Sequence, residues 1–232
     1  MQAAEKEMAR KYDPTRAQSG EGTVFRAEKK VAEGDVICEI GKMVIPTYLP
    51  PEPEEMPIFS EYRQHQGSTG NAYPNRPTLN ATRDTLTDRD YTVVRLENKY
   101  IRLLILPEIG GRVLEAYDKT SDYNFLYRHH RIKPVIVGSY GSWISGGMEF
   151  NYPFHHRPST FLPVDFTTEM KEDGSVIVWL SEAAPSPGQY RVKGTYGICL
   201  TPDASYYETI VKLDNRTPVK HPFMWWENAA IH

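Results

Sequence analysis

From Trp143 to Arg157 the chain reads Trp-Ile-Ser-Gly-Gly-Met-Glu-Phe-Asn-Tyr-Pro-Phe-His-His-Arg. Two glycines that let backbone come close to a ligand precede a carboxylate (Glu149), an amide (Asn151), two imidazoles (His155, His156) and a guanidinium (Arg157). Trp143, Phe150, Tyr152 and Phe154 are interleaved with them. Sugars call for this mixture, because their hydroxyls need paired donors and acceptors while their C–H faces need aromatic rings. Glu149 is the candidate catalytic acid/base: between Met148 and Phe150 its carboxyl is open to desolvation, which raises a carboxyl pKa toward the useful range. The competing reading is a carboxylate that anchors the loop. His155 and His156 are candidate hydroxyl donors rather than metal ligands, since neighbours on an extended chain point to opposite sides and no ligand motif accompanies them. His129-His130 is read in the same way, with less support. Neither a metal nor a cofactor is expected.

A second constellation is His221-Pro222-Phe223-Met224-Trp225-Trp226-Glu227-Asn228. On a strand, Trp225 and Glu227 share one face and Trp226 and Asn228 the other. An indole beside a carboxylate suits a saccharide subsite, so Trp225, Trp226 and Glu227 join the candidate binding set. Alternatively one tryptophan fills a core. Glu149 and Glu227 could also pair as glycosidase carboxylates do. In Pro107-Glu108-Ile109-Gly110-Gly111-Arg112 the glycines are too few for a nucleotide fingerprint and mark a tight corner or bulge. Arg112 is a further candidate contact.

The elements that must position these groups are strands. From Tyr91 onward, β-rich runs recur at roughly ten-residue spacing with turn signals between them and no helical periodicity, the pattern of an all-β antiparallel sandwich or barrel. Residues 165–180 and 190–213 read as hairpins, and Asn124–Tyr127 as a short strand. Residues 128–165 read as a long functional loop. Residues 1–35 read as a flexible polar tail, with a short helix expected at Ala3–Lys11. Residues 36–90 form a Pro-rich lead-in whose short strands break at Gly41. The sandwich domain proper is 91–232.

The 232 residues carry a formal net charge of −3, 12% aromatic residues and two distant cysteines. Nothing in that balance draws nucleic acid or an anionic membrane. The N-terminus lacks a signal peptide's apolar stretch, and no apolar run reaches membrane-spanning length. Two isolated cysteines point to free thiols in a reducing, cytoplasmic setting.

Several ordered motifs resemble those of a bacterial family of unknown function. They are Leu106-Pro107-Glu108-Ile109-Gly110-Gly111-Arg112, Ala116-Tyr117-Asp118-Lys119-Thr120, Ile132-Lys133-Pro134, Trp143-Ile144-Ser145-Gly146-Gly147 with Glu149-Phe150-Asn151, His155-His156-Arg157-Pro158 and Asn215-Arg216-Thr217-Pro218. Members of that family carry an N-terminal galactose-mutarotase-like domain, commonly followed by tetratricopeptide repeats. The resemblance implies a galactose-mutarotase-like β-sandwich related to aldose epimerases and to the sandwich domains of some glycosidases and sugar phosphorylases. In aldose epimerases a His donates to the ring oxygen and a Glu removes the anomeric proton; the resemblance assigns neither role to a residue here. It also leads to the expectation that the chain is the N-terminal part of that sandwich, cut before the fold is complete. The function expected is saccharide binding, with acid/base processing of a glycoside or oligosaccharide. The rival is a non-catalytic carbohydrate-binding module on a repeat-containing scaffold.

Overall fold

The structure, a computed structural model, describes residues 31–49, 85–136, 142–153, 157, 160, 162–182 and 192–231. The expected Ala3–Lys11 helix and the Pro-rich stretch 50–84 lie outside these residues. Two antiparallel sheets face each other, so the chain is an all-β sandwich.

The larger sheet holds β1 (Ile37–Tyr48), β2 (Leu86–Glu97), β3 (Ile101–Leu106), β4 (Arg112–Asp118), β8 (Met148–Asn151) and β13 (Trp226–Ala229) in the order β1-β2-β3-β4-β8-β13. The two-residue β5 (Tyr123–Asn124) pairs with β4. β1 runs unbroken through Gly41 and pairs with β2 from Ile37↔Glu97 to Tyr48↔Leu86. The full-length pairing holds the glycine in line where the sequence pointed to a break. Pro46 is tolerated because β1 lies at a sheet edge, where a missing amide costs the ladder nothing. Between β3 and β4 the chain turns through a single 3-10 turn, Pro107–Ile109, into Gly110 at φ 74, the tight corner its sequence announced.

The smaller sheet has the order β12-β11-β10-β9, from β9 (Asp165–Met170), β10 (Val176–Ser181), β11 (Val192–Leu200) and β12 (Tyr207–Asn215). Val178, Leu180, Tyr196 and Ile198 project from it toward Leu96, Leu103, Ile105, Val113 and Phe150 of the large sheet, forming the inter-sheet core. A second core lies on the outer face of the large sheet, where Met43, Ile45, Tyr91, Val93, Leu104, Leu106 and Leu114 meet Ile109, Ile132 and Ile144. Over β1–β4 the large sheet therefore carries buried apolar side chains on both faces, which is unusual for antiparallel strands that commonly keep one face wet.

The cover over that outer face comes from residues 127–136 and 142–145. A strap begins where the Tyr127 amide donates to the Ala230 carbonyl, just past β13. It ends at β1, where Ile132 donates to the Pro46 carbonyl and accepts from the Tyr48 amide. β6 (Val135–Ile136) and β7 (Ser142–Trp143) pair as a small ribbon beyond it. Among the described residues no helix is long and apolar enough to cross a membrane.

Candidate functional site

Glu149 sits on a strand, not in a loop. Met148–Asn151 is short and hemmed by Gly147 and Pro153, which hides it in the sequence. Alternation turns Met148 and Phe150 to the inter-sheet core and Glu149 and Asn151 to the outer face. β13 lies alongside with Trp226 opposite Asn151, Glu227 opposite Phe150 and Asn228 opposite Glu149. Directly opposed residues share a face, so Trp226 and Asn228 stand beside Glu149 and Asn151. Arg112 reaches the same face from β4, where it lies across from Leu106 of the outer core.

These groups form one hydrogen-bonded row. Glu149 is buried at 2% exposure, and its Oε2 accepts from Arg112 Nη2 at 3.0 Å. Its Oε1 accepts from Asn151 Nδ2 and Asn228 Nδ2, each at 2.9 Å. Arg112 also donates to the Gly146 carbonyl. Burial pulls the Arg112 guanidinium below the ordinary arginine range while the Glu149 carboxylate beside it works the other way. Two buried charges compensated in this way fix geometry more than they add stability. Next along the sheet, Glu115 is held between Arg102 Nη2 at 3.1 Å and Arg128 Nη2 at 3.3 Å, with Arg128 descending from the strap. A β-bulge between Leu104 and Ile105 places both Leu114 and Glu115 toward this face.

Arg157 does not join the row. Its Nε donates to the Phe150 carbonyl at 2.6 Å, and its Nη2 donates to Tyr196 Oη at 3.1 Å and to the Gly110 carbonyl. The guanidinium lies 5.1 Å from the Tyr196 ring centre and 5.7 Å from that of Tyr152. It brackets the two sheets from inside the sandwich. Its backbone amide donates to Asn151 Oδ1 at 3.1 Å, which leaves the Asn151 amide group aimed at Glu149.

The two indoles part company. Trp225 packs against the inter-sheet core, stacked 5.7 Å from Tyr152 and 6.0 Å from Phe150, and donates through Nε1 to Glu227 Oε1 at 3.2 Å. The indole–carboxylate pair thus lies on the inter-sheet side, away from Glu149. Glu227 and Glu149, on opposite faces of one sheet, do not face a common substrate bond. Trp226 is half-buried on the Glu149 face. Trp143 is 36% exposed on the ribbon. His155 and His156 lie outside the described residues. Asn228 is the member that sequence reasoning left out, although its face follows from that of Trp226. A carboxylate at Glu115, set between the apolar Leu114 and Ala116 of β4, was the signal for the second ion cluster. Among the described residues, no three His, Cys, Asp or Glu side chains gather as metal ligands would.

A crystal structure of a TPR-domain containing protein from Parabacteroides distasonis shares this fold, with a TM-score of 0.72 over 86% of this chain at 22% sequence identity. The present chain spans 33% of that protein's length. The motif set of the sandwich has a family of its own: the model of a domain of unknown function, DUF5107, matches residues 69–232, and the chain belongs to that family.

Proposed function

We propose that this chain is a carbohydrate-active domain that recognises a saccharide on the outer face of its large sheet. The observation that carries this reading is the row across β4, β8 and β13. There a half-buried indole (Trp226), two carboxamides (Asn151, Asn228) and the Arg112–Glu149 pair share one face. In that row Asn228 and Trp226 reach the surface and offer an amide beside a ring for stacking, while the buried Arg112, Glu149 and Asn151 hold Asn228 in place through Glu149 Oε1. The motif likeness to galactose-mutarotase-like sandwiches points the same way. The solved TPR-domain protein supports a longer protein in which tetratricopeptide repeats accompany this domain. Free thiols at Cys38 and Cys199, on different sheets, support a reducing, cytoplasmic setting as part of the same proposal.

Acid/base processing of a glycoside at Glu149 requires a carboxyl free to exchange its proton. Both Glu149 oxygens are engaged by cationic or amide donors. That arrangement favours Glu149 as the residue that orients the amides, with recognition rather than proton transfer as its task. A glycan array probed with the wild-type chain, Trp226→Ala and Glu149→Gln tests both readings. Wild-type retention of a saccharide, lost in Trp226→Ala, is the expected result. Retention of no saccharide, or equal retention by Trp226→Ala, overturns the proposal. Turnover of the retained glycan that vanishes in Glu149→Gln, with binding kept, restores the acid/base role.

A further inference from the structure

The strap over the outer face brings together a hydroxyl and an imidazole that the amide row does not use. Ser145 Oγ lies 3.0 Å from His129 Nε2, and His129 Nδ1 lies 3.3 Å from the Tyr127 hydroxyl. The Tyr127 ring meets the imidazole edge-on, with centroids 5.0 Å apart and planes at 84°. A serine facing an imidazole nitrogen can lose its proton to it only if that nitrogen is unprotonated. In the tautomer that meets this condition the ring proton is on Nδ1, facing the Tyr127 oxygen.

Backbone geometry holds the three residues in place. The Gly147 amide donates to the Tyr127 carbonyl at 2.7 Å, and the Tyr127 amide is tied to Ala230. Gly146, at φ 89, lies so close to the strap that a Cβ there would stand 3.0 Å from Arg128 Cα and 3.1 Å from the His129 backbone nitrogen. The Gly146 carbonyl accepts from Arg112, the partner of Glu149. Ser145 therefore sits at the rim of the amide row. Tyr127 and His129 are exposed, and Ser145 is half-buried. The exposed Trp143 stands two residues before Ser145, on the other side of the buried Ile144.

We propose that Ser145 is an acyl-transfer nucleophile with His129 as its general base and Tyr127 as a positioning residue, and that its substrate class is an O-acyl ester on a saccharide. The saccharide half of this statement rests on the recognition function proposed above; the nucleophile does not. Ser145 Oγ attacks the ester carbonyl carbon as its proton passes to His129 Nε2. The new Oγ–C bond forms, the C–O bond to the sugar oxygen breaks, and the departing oxygen takes the proton from Nε2. Water then attacks the acyl-serine, giving one proton to Nε2. The acyl group leaves as a carboxylic acid and Ser145 Oγ recovers its proton.

The full chain incubated with a fluorophosphonate probe, followed by peptide mass mapping, tests the nucleophile. The expected adduct is on Ser145, and its rate of formation falls at least about a hundredfold in His129→Gln. An absent adduct, or one that forms equally fast in His129→Gln, overturns the assignment. Tyr127→Phe is expected to lower kcat for p-nitrophenyl acetate while leaving KM unchanged; an unchanged kcat removes Tyr127 from the relay. Acetate release from O-acetylated methyl glycosides, present in wild type and absent in Ser145→Ala, supports the ester class. Adduct formation without acetate release from any such glycoside overturns the substrate class and leaves the nucleophile standing. Binding of the unacetylated methyl glycosides by the same samples reads the recognition function separately.

Discussion

At Glu149 the carboxylate oxygens are fully engaged, and removing the side chain leaves the Arg112 guanidinium buried without its counter-charge. Glu149→Ala is expected to destabilise the fold by about 3–5 kcal/mol, the usual cost of stranding one member of a buried pair. Urea unfolding checks this as a shift in midpoint at constant slope. The residue's candidacy was legible in its flanks, Met148 and Phe150. Its partners were not, because Asn228 lies 79 positions away and only strand pairing unites them. Asp118 shows the opposite case, a local effect readable from spacing alone. Its Oδ1 accepts from the Thr120 hydroxyl and from the Thr120 and Ser121 amides, and these bonds hold the carboxyl at about 2, below its ordinary 3.8. A depressed folded-state pKa contributes stability that is fully present above the unfolded value and is lost as the pH falls through the folded one. Asp118→Ala is therefore expected to lower stability near neutral pH, with the deficit shrinking as the pH falls from 3.8 toward about 2. Denaturant titrations of both proteins across that window test it.

Short elements were the hardest to read. The hairpin of β11 and β12 shows in the sequence because two β-rich runs, which pair over nine residues each, flank the turn signal Thr201-Pro202-Asp203-Ala204. The four residues of β8 between glycines and a proline carry too little periodicity, so the strand that bears Glu149 looked like loop. Its entry depends on Gly147, at φ 69, where a Cβ would run into the Val113 carbonyl. Gly147→Ala is expected to cost about 1–3 kcal/mol from backbone strain alone, and more where β4 must shift to make room. Thermal unfolding measures it. The adjoining indoles offer a control within one element. Trp225→Ala empties part of the inter-sheet core and is expected to cost about 3 kcal/mol. Trp226→Ala is expected to change stability by no more than about 1 kcal/mol and, on the proposed function, to abolish saccharide retention. The alternation of the pair was legible; which face met the core was not, because that depends on β13 pairing with β8.

Across the whole molecule, the sandwich class followed from the spacing of strands and turns, and the inter-sheet core from their apolar faces. The second core escaped, since Met43, Ile45, Ile132 and Ile144 come from segments that read as lead-in or loop. Those segments are also what turns the outer face from open surface into a covered site. The strap between Ala230 and Pro46 carries Arg128 down to Glu115 and His129 across to Ser145. Pro46→Ala leaves its carbonyl in place and is expected to preserve the Ile132 tie. Ile132→Pro removes the amide that donates to that carbonyl. Ile132→Pro is expected to release the strap and to slow fluorophosphonate labelling of Ser145 while Trp225 emission stays native.

Because β3 is paired along both edges and oiled on both faces, its amides have no local route to solvent. Deuterium can reach them only when the entire barrier between the two apolar compartments opens, so their exchange free energies should converge on the global unfolding value. The strap, whose backbone hydrogen bonds lie at Tyr127 and Ile132, should fill with deuterium long before. One isotope-labelling time course would thus separate the clock of the scaffold from the clock of the cover that dresses it.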